Sequence, residues 1–249
     1  MIDTKKLYPM DKTEARAKLG IPENAYVVGC VAANKGHNPS RKSYPQLLEA
    51  FANFAKRHPD AHLHLHTNLA GMGGMEIEPM LQYLGIPRDK WTAVDGYATL
   101  VGATDDAYMR AAYSAFDVLL SPSMGEGFGV PIVEAQACGT PVIVGDWTAM
   151  SELCFDGVKI SKEDAQPYWI SEMSAYQYMP DIRAIENALE TMYKRPREVS
   201  TKAIAGASAY DCEIVTRDYW LPVLAKIEAR IDRAKKLQTV FLPKQEVAA

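Results

Sequence analysis

Two short segments contain residues whose types and spacing could do chemistry. The first, Ser121 to Ala135, reads S-P-S-M-G-E-G-F-G-V-P-I-V-E-A. Glycines 125, 127 and 129 permit backbone angles closed to other residues and let a ligand approach the main chain closely. If a helix follows, its unpaired N-H groups point at that ligand, and an anion is the natural occupant. Gly127, Phe128, Gly129 and Val130 are therefore candidates for presenting the backbone. Glu126 and Glu134 flank the turn, and beside an anion site they make sense as acceptors of hydrogen bonds from sugar hydroxyls. The second segment, Asn34 to Ser43, reads N-K-G-H-N-P-S-R-K-S. Arg41 could grip a diphosphate with its fork and Lys42 could act on it as a point charge, with Asn34 at the loop's start. Neither segment is a Walker A loop, and no G-x-G-x-x-G follows the first expected strand, so an NAD or ATP site finds no support.

Other candidates carry plainer explanations. His62, His64 and His66 alternate, so they share one face of a strand, and three ligands on one strand rarely converge on a metal ion. They read as strand histidines, with His66 nearest the strand's carboxyl end, and no metal site is expected. The cysteines Cys30, Cys138, Cys154 and Cys212 lack ligand spacing and read as free thiols. Asp105 and Asp106 read as a helix cap and first-turn acid.

The elements that must position the two segments follow from hydrophobic period. Apolar runs alternate with helical patterns, the signature of an α/β, doubly wound, Rossmann-like parallel sheet. Strands are expected over 26–33, 61–67, 91–94, 117–121 and 141–146, and helices over 44–57, 79–84, 105–116 and 131–138. The pattern is helical from 181 onward, closing with an amphipathic helix over 212–237 and a frayed tail after Pro243. The organisation expected is a ligand-binding domain over 1–210, with 211–249 a C-terminal helix and tail packing on it. Ligands of such sheets bind at the carboxyl ends of the strands, where both segments fall.

Composition narrows the partners. The 249 residues carry 27 Lys plus Arg against 31 Asp plus Glu, a net charge of -4, so nothing points to nucleic acid. No apolar run approaches the roughly 20 residues of a membrane span, and the start of the sequence lacks an apolar signal region. A cytoplasmic location follows, with peripheral docking at a membrane left open.

The segment E-G-F-G-V-P-I-V-E resembles the E-x7-E signature of the retaining glycosyltransferases of family four, whose fold is the two-domain GT-B type. The surrounding order is similar too, with A-R-A-K-L-G-I-P, the R-K pair, F-D-V-L-L-S-P-S and E-A-Q-A-C-G-T-P-V-I-V. The likeness runs from about Ile2 to Leu153 and is to the C-terminal, donor-binding half. It implies a single GT-B half-domain with C-terminal helices, the acceptor-binding N-terminal domain being absent from this sequence. It also implies transfer of a hexose from a UDP- or GDP-sugar to an acceptor hydroxyl with retention and no required cofactor. Glu126 would then contact the donor sugar, Glu134 the ribose, Arg41 and Lys42 the diphosphate, and Gly127, Phe128 and Gly129 would offer amides. Base selectivity is expected near Val94 to Tyr97. The acceptor, whether glycan, lipid or protein, stays open, as does a separate chain supplying the acceptor domain. The alternatives are a non-catalytic nucleotide-sugar-binding module and a sugar-nucleotide epimerase of similar architecture.

Overall fold

The computed structural model describes residues 1–36, 39–70 and 73–241, with the backbone alone for Leu100, Glu172 and 236–241. His37 and Asn38 of the Asn34 to Ser43 segment, Gly71 and Met72, and the tail from Leu242 on lie outside the described residues. In chain order the elements are α1 (Lys12–Leu19), β1 (Tyr26–Val31), α2 (Tyr44–Arg57), β2 (Ala61–His66), α3 (Ile77–Tyr83), β3 (Trp91–Ala93), α4 (Gly96–Leu100), α5 (Asp106–Ala115) and β4 (Val118–Ser121). They continue with α6 (Val130–Ala137), β5 (Val142–Gly145), α7 (Met150–Leu153), β6 (Gly157–Ile160), β7 (Ala165–Ile170), β8 (Ala175–Pro180), α8 (Ile182–Tyr193), α9 (Thr201–Ser208), α10 (Cys212–Val215) and α11 (Leu221–Phe241).

β1 to β6 form a parallel sheet in the order β3-β2-β1-β4-β5-β6, the doubly wound arrangement expected from the sequence. Every residue of β1 and β5 is buried, because helices cover both faces. On α2, Leu47, Leu48, Phe51 and Phe54 are fully covered, the one-sided burial that their spacing predicts. At the sheet's amino end, Asp117 is a buried acid with three partners. Its Oδ2 accepts from Arg16 Nη2 at 2.7 Å and from Val27 N at 2.7 Å, while Oδ1 accepts from Lys12 Nζ at 2.9 Å. That cluster ties α1 to β1 and β4, since a buried carboxylate is tolerated only when paired and hydrogen-bonded.

The structure departs from the sequence reading in several places, the short helices α1, α4 and α7 among them. β6 joins the sheet where no strand was expected, and β7 and β8 form a separate antiparallel hairpin. The closing helix divides, α10 giving way through a widened π turn at 216–220 to α11. From 216 to 235 the residues are exposed, including Trp220, Leu224, Ile227 and Ile231, so α11 does not pack on the domain as expected. The sequence pattern showed an apolar stripe but could not show what it faces. The amino terminus is tied to 210–212 instead, with Ile2 N donating to Tyr210 O and Thr4 Oγ1 donating to Asp211 Oδ2.

Candidate functional site

β1 and β4 are neighbours in the sheet, so the loops at their carboxyl ends meet. The main chain stitches them together, Met124 N donating to Arg41 O at 2.8 Å. From that seam Arg41 Nη1 donates to Gly125 O at 2.7 Å and to Glu126 Oε2 at 3.1 Å, and Lys42 Nζ donates to Glu126 Oε1. Two cations from one loop thus hold one carboxylate from the other. Burial alone would push the Glu126 carboxyl up, but the hydrogen bonds with Lys42 and Ser123 and the Arg41 charge hold it below its ordinary range. Its backbone is fixed as well, Glu126 N donating to Thr148 Oγ1 at 3.1 Å. Thr148 stands in the loop after β5 at φ 54, and no motif in the sequence marks it.

Past Glu126 the chain turns into α6 through Gly129 at φ 100, which caps the helix without a side chain. A β-carbon there would lie 2.8 Å from Ile132 Cδ1, so only glycine makes the turn without strain. Pro131 offers no N-H, and Ile132 N already donates to Gly129 O at 3.0 Å. Gly127 and Val130 are exposed, whereas the Phe128 ring packs 5.8 Å from that of Tyr210.

Glu134 shares a helix face with Pro131. Its Oε2 accepts from the buried Tyr113 hydroxyl at 2.7 Å. Burial raises the Glu134 carboxyl, the Tyr113 hydrogen bond only partly opposing it. The two acids of the pair therefore stand in opposite electrostatic settings, one beside two cations and one beside a phenol.

Between these loops and the end of β2 lies a cavity of about 330 Å³, whose lining includes Asn34, Lys42, His66, Asn68, Thr99 and Pro131. Asn34 lines it but its amide is engaged elsewhere: Nδ2 donates to Asn68 O and Met75 O, and Oδ1 accepts from Met75 N. It clamps the loop leading into α3. His66 does stand nearest the crevice, its Nδ1 buried without a partner and its ring 5.7 Å from Tyr108. His62 Nε2 and His64 Nδ1 both meet Thr92 Oγ1, and burial pushes them down to about 4 and about 3. They are neutral core groups. In the 94–97 stretch, Asp95 caps α4, and it is Thr99 on that helix that reaches the cavity.

The structure thus unites Arg41, Lys42 and Glu126, sets Glu134 apart from them on α6 beside Tyr113, and gives the Asn34 side chain a loop-holding task. Elsewhere among the described residues, Asp3, Asp211 and Cys212 bring ligand atoms within 4.8 Å of one another, but Asp211 already caps α10 and binds Thr4. The four cysteines are free, as expected. No described helix is long and apolar enough to cross a membrane.

The family described as glycosyl transferases group 1 matches residues 25–172. Among curated proteins, the D-inositol 3-phosphate glycosyltransferase of Saccharomonospora viridis is 28% identical over 190 residues, covering 74% of this chain and 42% of that protein. The one from Corynebacterium jeikeium is 36% identical over 135 residues, covering 52% of this chain and 29% of its own length. The match thus spans less than half of either relative. Among solved structures, sucrose-phosphate synthase from Thermosynechococcus elongatus superposes with a TM-score of 0.68 at 23% identity, covering 94% of this chain and 51% of that one. Anabaena HepE in complex with UDP-glucose gives 0.64 at 19%, covering 90% and 55%. At those identities the structural likeness speaks for the GT-B fold.

Proposed function

Because this chain belongs to the glycosyl transferases group 1, we propose that it is the donor-binding half of a retaining enzyme that moves a hexose from a nucleotide diphosphate sugar to an acceptor hydroxyl. The observation that carries the reading is the grip of Arg41 and Lys42 on Glu126 at the edge of the cavity. The carboxylate balances two cations suited to a diphosphate. A donor entering the cavity brings its own phosphates to Arg41 and Lys42, and Glu126 is then released to accept from sugar hydroxyls. Glu134 takes the ribose, and the amides of 127 to 130 complete the anion site.

The chemistry this arrangement serves is charge stabilisation on the leaving side. As the bond from the anomeric carbon to the diphosphate oxygen breaks, charge grows on the nucleotide diphosphate, where Arg41 and Lys42 already stand. The acceptor oxygen bonds the anomeric carbon from the same face, and its proton passes to the departing phosphate. UDP- and GDP-hexoses are the donors to test, UDP-glucose first, since the Anabaena neighbour of this fold was solved with it. An acceptor domain, on this or another chain, closes the cleft and excludes water.

Calorimetric titration with UDP, GDP and their hexose conjugates, repeated on Glu134→Ala, tests the reading. Binding of one nucleotide that the substitution weakens by about 1 to 3 kcal/mol is the expected result. An unchanged affinity in the variant removes Glu134 from the site, and silence with every nucleotide overturns the donor role.

A further inference from the structure

Thr148 stands at φ 54 in the loop between β5 and α7, a left-handed backbone conformation that a β-branched residue enters only at a cost. Among the described residues the non-glycines with positive φ are Ser43, Thr148 and Ser174, and two of them adjoin the site: Ser43 follows Lys42, and Thr148 bonds Glu126. A glycine would take the turn at 148 without strain, so the advantage of threonine lies in its side chain.

That side chain meets the site loop twice. Its Oγ1 accepts from Glu126 N at 3.1 Å, and a β-carbon on Gly125 would lie 3.5 Å from its Cγ2, so the methyl closes the space beside that glycine. Gly125 carries the carbonyl that holds Arg41. The loop is anchored on either side of Thr148: the buried Trp147 donates its indole N-H to Ser123 O at 3.0 Å, and Thr148 O accepts from Ser151 Oγ at 3.0 Å. The hydroxyl is thus presented from a fixed base.

The bond to Glu126 matters most once the site is filled. In the donor reading above, the diphosphate draws Arg41 and Lys42 away from the Glu126 carboxylate, which removes two of the contacts that aim it. The bond from Glu126 N to Thr148 does not involve those cations. It survives the exchange and fixes the main chain from which the carboxylate reaches the sugar.

We propose that Thr148 is a positioning residue for the donor sugar: its strained backbone is retained because its hydroxyl sets the main chain of Glu126 in the loaded site. The proposal rests on the donor reading, in which Glu126 serves the sugar.

The test compares Thr148→Ala, Thr148→Gly and Thr148→Ser with wild type in the full chain. Alanine and glycine both lack the hydroxyl, but only glycine releases the strain, so Thr148→Gly should melt about 2 to 4 °C above Thr148→Ala. In calorimetry with UDP, GDP, UDP-glucose and GDP-glucose, both variants should bind bare nucleotide as wild type does and the matching nucleotide sugar about two- to tenfold more weakly. Thr148→Ser, which keeps the hydroxyl, should restore the sugar conjugate to within about twofold. Hydrogen exchange reads the same bond without a ligand: the Glu126 amide should exchange faster in both hydroxyl-free variants and at close to the wild-type rate in Thr148→Ser. Equal losses for nucleotide and nucleotide sugar, failure of serine to restore the conjugate, or unchanged exchange at Glu126 overturns the positioning role, and Thr148→Gly melting no higher than Thr148→Ala overturns the strain. If wild type binds none of the four ligands, the donor reading falls, while a Glu126 amide that loses protection in both hydroxyl-free variants still upholds Thr148 as the group that sets Glu126.

Discussion

Glu126 and Glu134 belong to one turn and one helix, yet their surroundings push them in opposite directions, and this separates their variants. Glu126 lies below 4.5 in the fold, so its ionisation stabilises the protein above that value and the benefit disappears as pH falls through the lowered value. Glu134 lies above 4.5, so its charge is a cost at neutral pH that disappears on acidification. Thermal melting should therefore show Glu134→Gln more stable than wild type at pH 7 by about 1 to 3 °C, with the gain shrinking toward pH 4. Glu126→Gln should be less stable at pH 7 and converge with wild type below pH 4. Binding gives a second contrast. Glu126→Gln frees Arg41 and Lys42 from their carboxylate, so a bare nucleoside diphosphate should bind at least as tightly as to wild type while the nucleotide sugar binds more weakly. Calorimetry reads this directly, and equal losses for both ligands would remove Glu126 from the sugar.

At the scale of elements, the Asp117 cluster joins α1, β1 and β4, and removing its carboxylate leaves Arg16 buried without its charge partner. Asp117→Ala should lose about 3 to 5 kcal/mol in denaturant unfolding. Gly157 begins β6 at φ 143, where a β-carbon would stand 1.8 Å from Val142 O, so Gly157→Ala should unfasten that edge of the sheet and lower the melting temperature. What could be read from residues alone follows the same physics. α2 was legible to its ends because Leu47, Leu48, Phe51 and Phe54 repeat at helical spacing and the chain turns at both limits, and β4 with its following turn was legible because a buried run meets three glycines. The hairpin escaped notice because both of its faces hold exposed aromatics, so the period-two contrast that marks a half-buried strand is missing. In the site, Arg41, Lys42 and Glu126 could be named from their types, but that they bind one another depends on β1 and β4 being sheet neighbours. Asn34 was named from its place in the loop, and only the fold shows its amide turned to the loop before α3.

For the whole molecule, the division between the sheet domain and α11 is the largest departure from the sequence reading. Residues 216–235 are exposed, with Leu221, Leu224, Ile227 and Ile231 in water. Ending the chain after Val215 should leave nucleotide affinity and melting temperature essentially unchanged, while reducing any self-association seen in sedimentation, because an exposed apolar stripe favours contact with whatever it meets. A fall of many degrees would show that the helix supports the domain in solution. The four tryptophans record this division in another way. Trp91 and Trp147 are buried, whereas Trp169 and Trp220 are half in water. Intrinsic emission should therefore contain a blue, acrylamide-shielded component and a red, quenchable one. Since Trp147 is hydrogen-bonded beneath the site loop, a nucleotide should perturb the blue component and leave the red one unchanged. A single fluorescence titration then reports, by colour, whether a ligand reaches the site loop or only the surface.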